Sequence, residues 1–430
     1  MAKPIAKACR MKKLLLLAML AGVSTNALAA CEPGAYGSGD GDFVVVVDVP
    51  NMPTGQRYLF RDGRRGSTAD DGSPVRCEDG AVSVRAADGK TTTWPRLPIT
   101  ATDTKFESAL SMMKGQLLEP AGAPDRKRPL VVMVHGSERT PAVGNPYAYA
   151  LAAQGLAVFV YDKRGTGGSN GEYTQNFELL ADDAAAALAH ARAMAAGRFG
   201  RAGYFGGSQG GWVAPLAATR SDADFVAIGF GLVASPIEED RDQMLAEARE
   251  AGLGEAQLDQ IRRLSQATAR IVTSHFSDGF DELQTLRTEL EDETWPSRIE
   301  GEYSGAFFAM SDADLRRIGR PRFDNLELIY DYDAIAVLEK LDVPLLWVLA
   351  GEDREAPIAE TRDALLALKS RGKPVEVYLF PDTDHGMFEF ETLPDGSRKG
   401  TRITDGYLRL LGDWMKNETR GRYGRGERLK

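Results

Sequence analysis

Ser208 lies in Gly206-Gly207-Ser208-Gln209-Gly210, a G-x-S-x-G run. Between a strand and a helix, such a run forces the serine into a strained turn and exposes its hydroxyl. With 45 glycines in 430 residues the run arises readily by chance, so its context decides whether it carries chemistry. Here residues 202–205 read as a strand and 212–219 as a helix, and both positions two away from the serine are glycine. A serine alcohol attacks a carbonyl only when an imidazole takes its proton, and the imidazole needs an anion to fix its tautomer. Each partner should stand on a loop after a strand. Asp353 follows the apolar run 343–350 and His385 follows 375–380, giving Ser, Asp, His in chain order. The other histidines fit less well: His190 lies in an alanine-rich helix, His275 in a charged helical stretch, and His135 at a strand end, where it braces a loop. Glu352 adjoins Asp353, and Asp382 and Asp384 shape the turn that presents His385. The negative oxygen formed on attack needs two N–H donors. The amide of Gln209 is one, and the amide of Ser137, after the strand at 130–134, is the other.

Positioning these groups requires a parallel sheet. From residue 130 onward short apolar runs alternate with helical patterns: 130–134, 157–161, 202–205 and 225–232 as strands, with helices at 147–154 and 177–196. Residues 236–335 break the alternation with charged, 3.6-period segments and read as a helical insertion; the strands resume at 343 and the last helix is 406–416. A weakly alternating stretch, 102–120, suits a first hairpin, followed by the linker-like 121–124. Residues 30–101 carry β-branched runs and Asp-Gly turns and predict a small β-rich region. The expected organisation is therefore a leader over 1–29, a β-rich region over 30–101, core segments over 102–235 and 336–416 enclosing the insertion, and a basic tail, 417–430, without an apolar face and so without order.

The stretches Val132-Met133-Val134-His135-Gly136-Ser137, Tyr161-Asp162-Lys163-Arg164-Gly165-Thr166-Gly167-Gly168-Ser169 and Gly206 to Gly211 resemble successive blocks of the α/β-hydrolase superfamily. The likeness covers roughly residues 102–416 and is greatest to bacterial capped carboxylesterases, themselves similar to prolyl-oligopeptidase-like serine hydrolases. It implies an α/β-hydrolase fold with a helical cap and a serine hydrolase acting on a small-molecule ester, or, with the same triad, a peptidase or amidase. Such esterases commonly place His before and Glu after the nucleophile. This chain has Gly207 and Gln209 there.

Lys12 and Lys13, the apolar run 14–23 and the small residues around Ala27 and Ala29 follow the order of a secretory signal peptide, too short for a membrane span. Export to the periplasm or medium is expected, and permits a Cys31–Cys77 disulfide. Leu28-Ala29-Ala30-Cys31 also resembles a lipoprotein processing site, so a lipid anchor on Cys31 is the alternative. Removing residues 1–29 takes away Lys3, Lys7, Arg10, Lys12 and Lys13 and no acid, which carries the formal charge from −10 to −15 and argues against a nucleic-acid partner. The glycine-rich 165–171 misses G-x-G-x-x-G at Asn170, and no metal-ligand spacing occurs, so no cofactor is expected. Trp212, Trp295, Tyr303, Phe307 and Phe308 either line an acyl pocket or fill cores, and the sequence leaves both open.

Overall fold

The computed structural model describes residues 30–48, 55–122 and 125–430; the leader at 1–29 lies outside them, as do two residues of the 121–124 linker. Seven short strands come first. β1 (Gly34–Gly37), β2 (Phe43–Val47), β3 (Arg57–Phe60) and β4 (Arg65–Ser67) form one antiparallel sheet, and β5 (Val75–Glu78), β6 (Ala81–Arg85) and β7 (Thr91–Pro95) another. The run Phe43–Val47 lacks alternation because both of its faces are covered. Val44 and Val46 pack with Tyr58, Phe60, Val82 and Trp94 between the two sheets. Phe43, Val45 and Val47 pack on the other side against α1 (Pro146–Ala153) of the main body. A Cys31–Cys77 disulfide staples the two small sheets, and it occupies the sulfur that a lipid would require.

The main sheet has nine strands. β8 (Ile99–Ser108) and β9 (Ser111–Pro120) form the opening hairpin, which starts three residues before the expected boundary. β10 (Leu130–Val134), β11 (Ala157–Tyr161), β12 (Ala202–Gly207), β13 (Val226–Gly229), β14 (Leu345–Ala350) and β15 (Val375–Phe380) are mutually parallel, with β9 antiparallel to β11. The hairpin β16 (Phe388–Thr392) and β17 (Arg398–Ile403) stands apart, and β18 (Glu427–Arg428) closes the far edge beside β15. The sheet order is β18-β15-β14-β13-β12-β10-β11-β9-β8. The parallel centre is apolar on both faces. One face packs against α2 (Phe177–Met194) and α3 (Gly210–Ala218), the other against α1 and the helix Tyr407–Met415. Every loop carrying a candidate site residue therefore leaves the same carboxyl edge, where ligands collect in such sheets.

The insertion contains α4 (Pro236–Glu250), α5 (Glu255–Thr273) and α6 (Phe280–Glu289), with shorter helices up to Leu338 and no strand among the described residues. A capping box between Ser235 and Glu238 starts α4 at the departure from the sheet. Trp295, Tyr303 and Phe307 are buried in a core of the insertion's own, with Phe308 packed beside it. Trp212 is buried against Phe177, its rings stacked 5.0 Å apart, and donates from Nε1 to the Ala234 carbonyl at 2.9 Å. These aromatics fill cores rather than line the cavity at Ser208.

The expected disorder of residues 417–430 is incorrect. Tyr423 is 1% exposed, β18 pairs with β15, and Arg425 and Arg428 reach Asp382 and Glu376. One anchoring aromatic plus strand pairing orders a segment that has no periodic apolar face. The stretch after His385, read as loop, holds the β16–β17 hairpin.

Candidate active site

Ser208 follows β12 directly and has φ = 50°, the left-handed conformation of a strained turn, with α3 beginning two residues later. The turn demands small neighbours. A Cβ on Gly206 would stand 2.7 Å from the Gly210 carbonyl oxygen, so the backbone itself excludes a side chain. His385 Nε2 lies 3.1 Å from Ser208 Oγ, and His385 Nδ1 lies 2.9 Å from Asp353 Oδ2. With a carboxylate as its partner Nδ1 must donate, which leaves Nε2 free to accept the serine proton. The Asp353 side chain is 1% exposed and also accepts the Ala356 amide through Oδ1 at 2.8 Å.

The loops bearing these two residues are tied together. Thr383 accepts the Gly351 amide at its hydroxyl and the Glu352 amide at its carbonyl, at 3.2 and 2.8 Å. Asp384 Oδ1 accepts the amides of His385 and Arg354 at 2.9 and 3.1 Å. Asp384 thus shapes the turn at His385. Asp382 has φ = 52° in the same turn and pairs with Arg425. Burial opposes a charged imidazole at His385, but the hydrogen bond and charge of Asp353, with the charges of Glu355 and Asp384, outweigh it and raise His385 to about 8. Glu355 Oε1 stands 3.5 Å from Nε2.

The predicted oxyanion donors flank the serine. A Cβ on Gly136 would lie 3.5 Å from Ser208 Cβ, which puts the His135-Gly136-Ser137 turn directly against the elbow. Gln209 caps the start of α3. Among the described residues, neither the Ser137 nor the Gln209 amide donates to another group. His135 packs edge-on to Tyr161 at 4.6 Å, and burial followed by the Lys163 charge pushes it well below its ordinary value, so it is a neutral brace. His190 stacks on Phe106, and exposed His275 pairs with Asp324 at 2.7 Å; both are remote from Ser208 in the fold.

Two cavities meet this pair of groups. One of about 150 Å³ touches Ser208 and is lined by Met133, Tyr147, Val160, Phe205 and Phe230. The other, about 540 Å³, touches His385 and lies between α4 and the β16–β17 hairpin, lined by Arg298, Arg354, Arg398, five carboxylates including Glu355, and two phenylalanines. Sequence reasoning missed Phe230, whose ring meets His385 edge-on at 5.1 Å and whose φ is 45°. Its position just past β13, at the carboxyl edge, was the available signal. It also gave no role to Glu355, two residues beyond Asp353, or to Lys163.

A family model described as "Serine aminopeptidase, S33" matches residues 125–278. A 65-residue stretch is 37% identical to acylamino-acid-releasing enzyme 2 of Oryza sativa subsp. japonica, covering 15% of this chain and 8% of that protein. A 75-residue stretch is 32% identical to the acylamino-acid-releasing enzyme of Mus musculus, covering 17% and 10%. The chain thus spans no more than a tenth of the length of either relative. Among solved structures, a Pyrococcus furiosus esterase has 15% identity over 67% of this chain and 84% of its own, with TM-score 0.42. The Pyrococcus horikoshii acylaminoacyl peptidase has 15% identity over 78% of this chain and 44% of its own, with TM-score 0.41. A mostly parallel sheet and a serine held at positive φ between its fifth-from-edge strand and the following helix give the chain an α/β-hydrolase fold, and the family match falls on the region that carries this serine.

Proposed function

We propose that the chain is a serine hydrolase that cleaves carboxylic esters through an acyl-enzyme. The observation that carries this reading is the relay from Ser208 Oγ through His385 to Asp353, at 3.1 and 2.9 Å, beside a mostly apolar cavity that also holds Glu138 and Asn145. His385 takes the proton as Ser208 attacks, Asp353 stabilises the resulting imidazolium, and the amides of Gln209 and Ser137 receive the negative oxygen. Protonated His385 gives its proton to the leaving alkoxide, and the neutral imidazole then takes a proton from the water that attacks the acyl-enzyme. The cavity at Ser208, about 150 Å³, suits a short acyl chain better than a long one. Butyrate esters should therefore turn over faster than decanoate esters, and Phe230→Ala should narrow the difference. Labelling of wild type but not Ser208→Ala by a fluorophosphonate probe tests the nucleophile; equal labelling of both would overturn the reading.

A second reading, an amidase or peptidase with the same groups, draws support from the carboxylates around His385. Burial first, and then repulsion from the charges of Glu302 and Glu355, push Glu239 well above the ordinary carboxyl range, so the neighbouring acids add an unfavourable repulsion. A substrate with a free ammonium would relieve it. Parallel assays on short p-nitrophenyl esters and aminoacyl anilides separate the two. We also propose that the chain is exported, since the predicted leader and the Cys31–Cys77 disulfide suit an oxidising compartment.

A further inference from the structure

Lys163 is 1% exposed and, among the described residues, makes no ion pair. Its ammonium donates to the Gly136 carbonyl at 2.5 Å, comes within 3.5 Å of Gln209 Oε1 and lies 4.9 Å from the centre of the Tyr173 ring. Holding a buried cation with neutral oxygens is expensive, and a methionine of similar length would pack there without that cost. Burial lowers the ammonium to about 8, with Glu138 opposing the shift and Arg139 adding to it, so the charge persists at neutral pH. Stability alone does not account for this arrangement.

The acceptor it holds is informative. In a trans peptide the carbonyl of Gly136 and the N–H of Ser137 point in opposite directions, and the described chain contains no cis bond. A donor fixed on the Gly136 oxygen therefore fixes the direction of the Ser137 N–H. The neighbouring Ser137 carbonyl is taken by the Tyr173 hydroxyl, so both ends of this turn are held from the 162–175 loop. The same ammonium approaches the side chain of Gln209, whose amide is the other expected donor.

Resting on the reading of Ser208 as an acyl-transfer nucleophile, we propose that Lys163 is the positioning residue of the oxyanion site, orienting the Gly136–Ser137 peptide beside Ser208 and bracing Gln209. Lys163 exchanges no proton. As the Oγ–carbon bond forms, the carbonyl π pair moves onto oxygen, the hydroxyl proton passes to His385 Nε2, and Lys163 holds the amides that face the new charge. Its ammonium also polarises the peptide, which strengthens the Ser137 N–H as a donor.

The test compares wild type, Lys163→Met and Ser208→Ala on a short p-nitrophenyl ester, with phenylboronic acid as a mimic of the tetrahedral adduct. Lys163→Met should melt at the wild-type temperature, lose kcat by roughly 100-fold with KM within threefold, and bind the boronate more weakly by about the same factor. Wild-type-like kcat in Lys163→Met alongside inactive Ser208→Ala overturns the inference and leaves the nucleophile standing. A loss of kcat with unchanged boronate affinity overturns it too. Failure of both Lys163→Met and Lys163→Gln to fold makes Lys163 a stability residue and also overturns it. Wild-type-like activity of Ser208→Ala removes the underlying reading, and this inference with it.

Discussion

At the scale of single residues, the three groups that could be placed from the sequence are those whose chemistry demands a particular type at a particular strand end. Ser208, Asp353 and His385 each follow a strand, and their side chains meet at hydrogen-bond distance. Ser208→Ala should reduce kcat by at least about 10⁴-fold without altering the melting temperature. Asp353→Asn should cost about 10³- to 10⁴-fold, because a neutral amide holds the wrong imidazole tautomer; steady-state kinetics on one ester reads both. His385 acts as a base only when neutral, so kcat/KM should rise with pH through a midpoint near 8. Removing the nearby negative charge in Glu355→Gln should move that midpoint downward, which a pH–rate profile measures. Because folding raises the imidazole above its unfolded value of about 6.5, its contribution to stability is complete below that value and is lost as the pH climbs through 8. Phe230, Lys163 and Glu355 escaped notice because nothing in their types demands a role. Only the convergence of three loops gives them one.

Elements were readable where a period or an unbroken apolar run announced them. The parallel strands and the long helices α2, α4 and α5 stand close to their expected positions, since burial of both sheet faces and one helix face writes itself into composition. The β16–β17 hairpin was not read, although Phe388-Glu389-Phe390-Glu391-Thr392 alternates and Pro394-Asp395-Gly396 is a turn sequence. The insertion's aromatics were ambiguous because a residue's type does not say which of two cores it enters. The elbow supplies a test at this scale: Gly206→Ala forces a methyl to within 2.7 Å of backbone and should destabilise the protein by about 2–4 kcal/mol, as read by urea denaturation. A near-neutral result would show that the turn has room to relax.

For the whole molecule, composition bounded the class and the charge, while the relation between the β-rich region and the main body was not legible. That relation depends on Phe43–Val47 facing two partners at once, which an apolar run cannot reveal. The Cys31–Cys77 bond closes 46 residues, and in the chain-entropy account its reduction should cost about 4 kcal/mol. Thermal melts with and without reductant measure this, and the loss should appear first in the amino-terminal sheets.

Those sheets touch the main body at a consequential place. Gly63 accepts the Ile403 amide at 3.0 Å, Arg402 reaches the Asp62 carbonyl, and Arg65 lies over the Phe388 ring, three residues past His385. A methyl on Gly63 would stand 1.9 Å from the Ile403 oxygen, so this seam tolerates no added bulk. The amino-terminal sheets thus serve as an abutment for the segment that follows His385. A cut or an enlarged side chain at that joint should displace His385 while most of the architecture still stands.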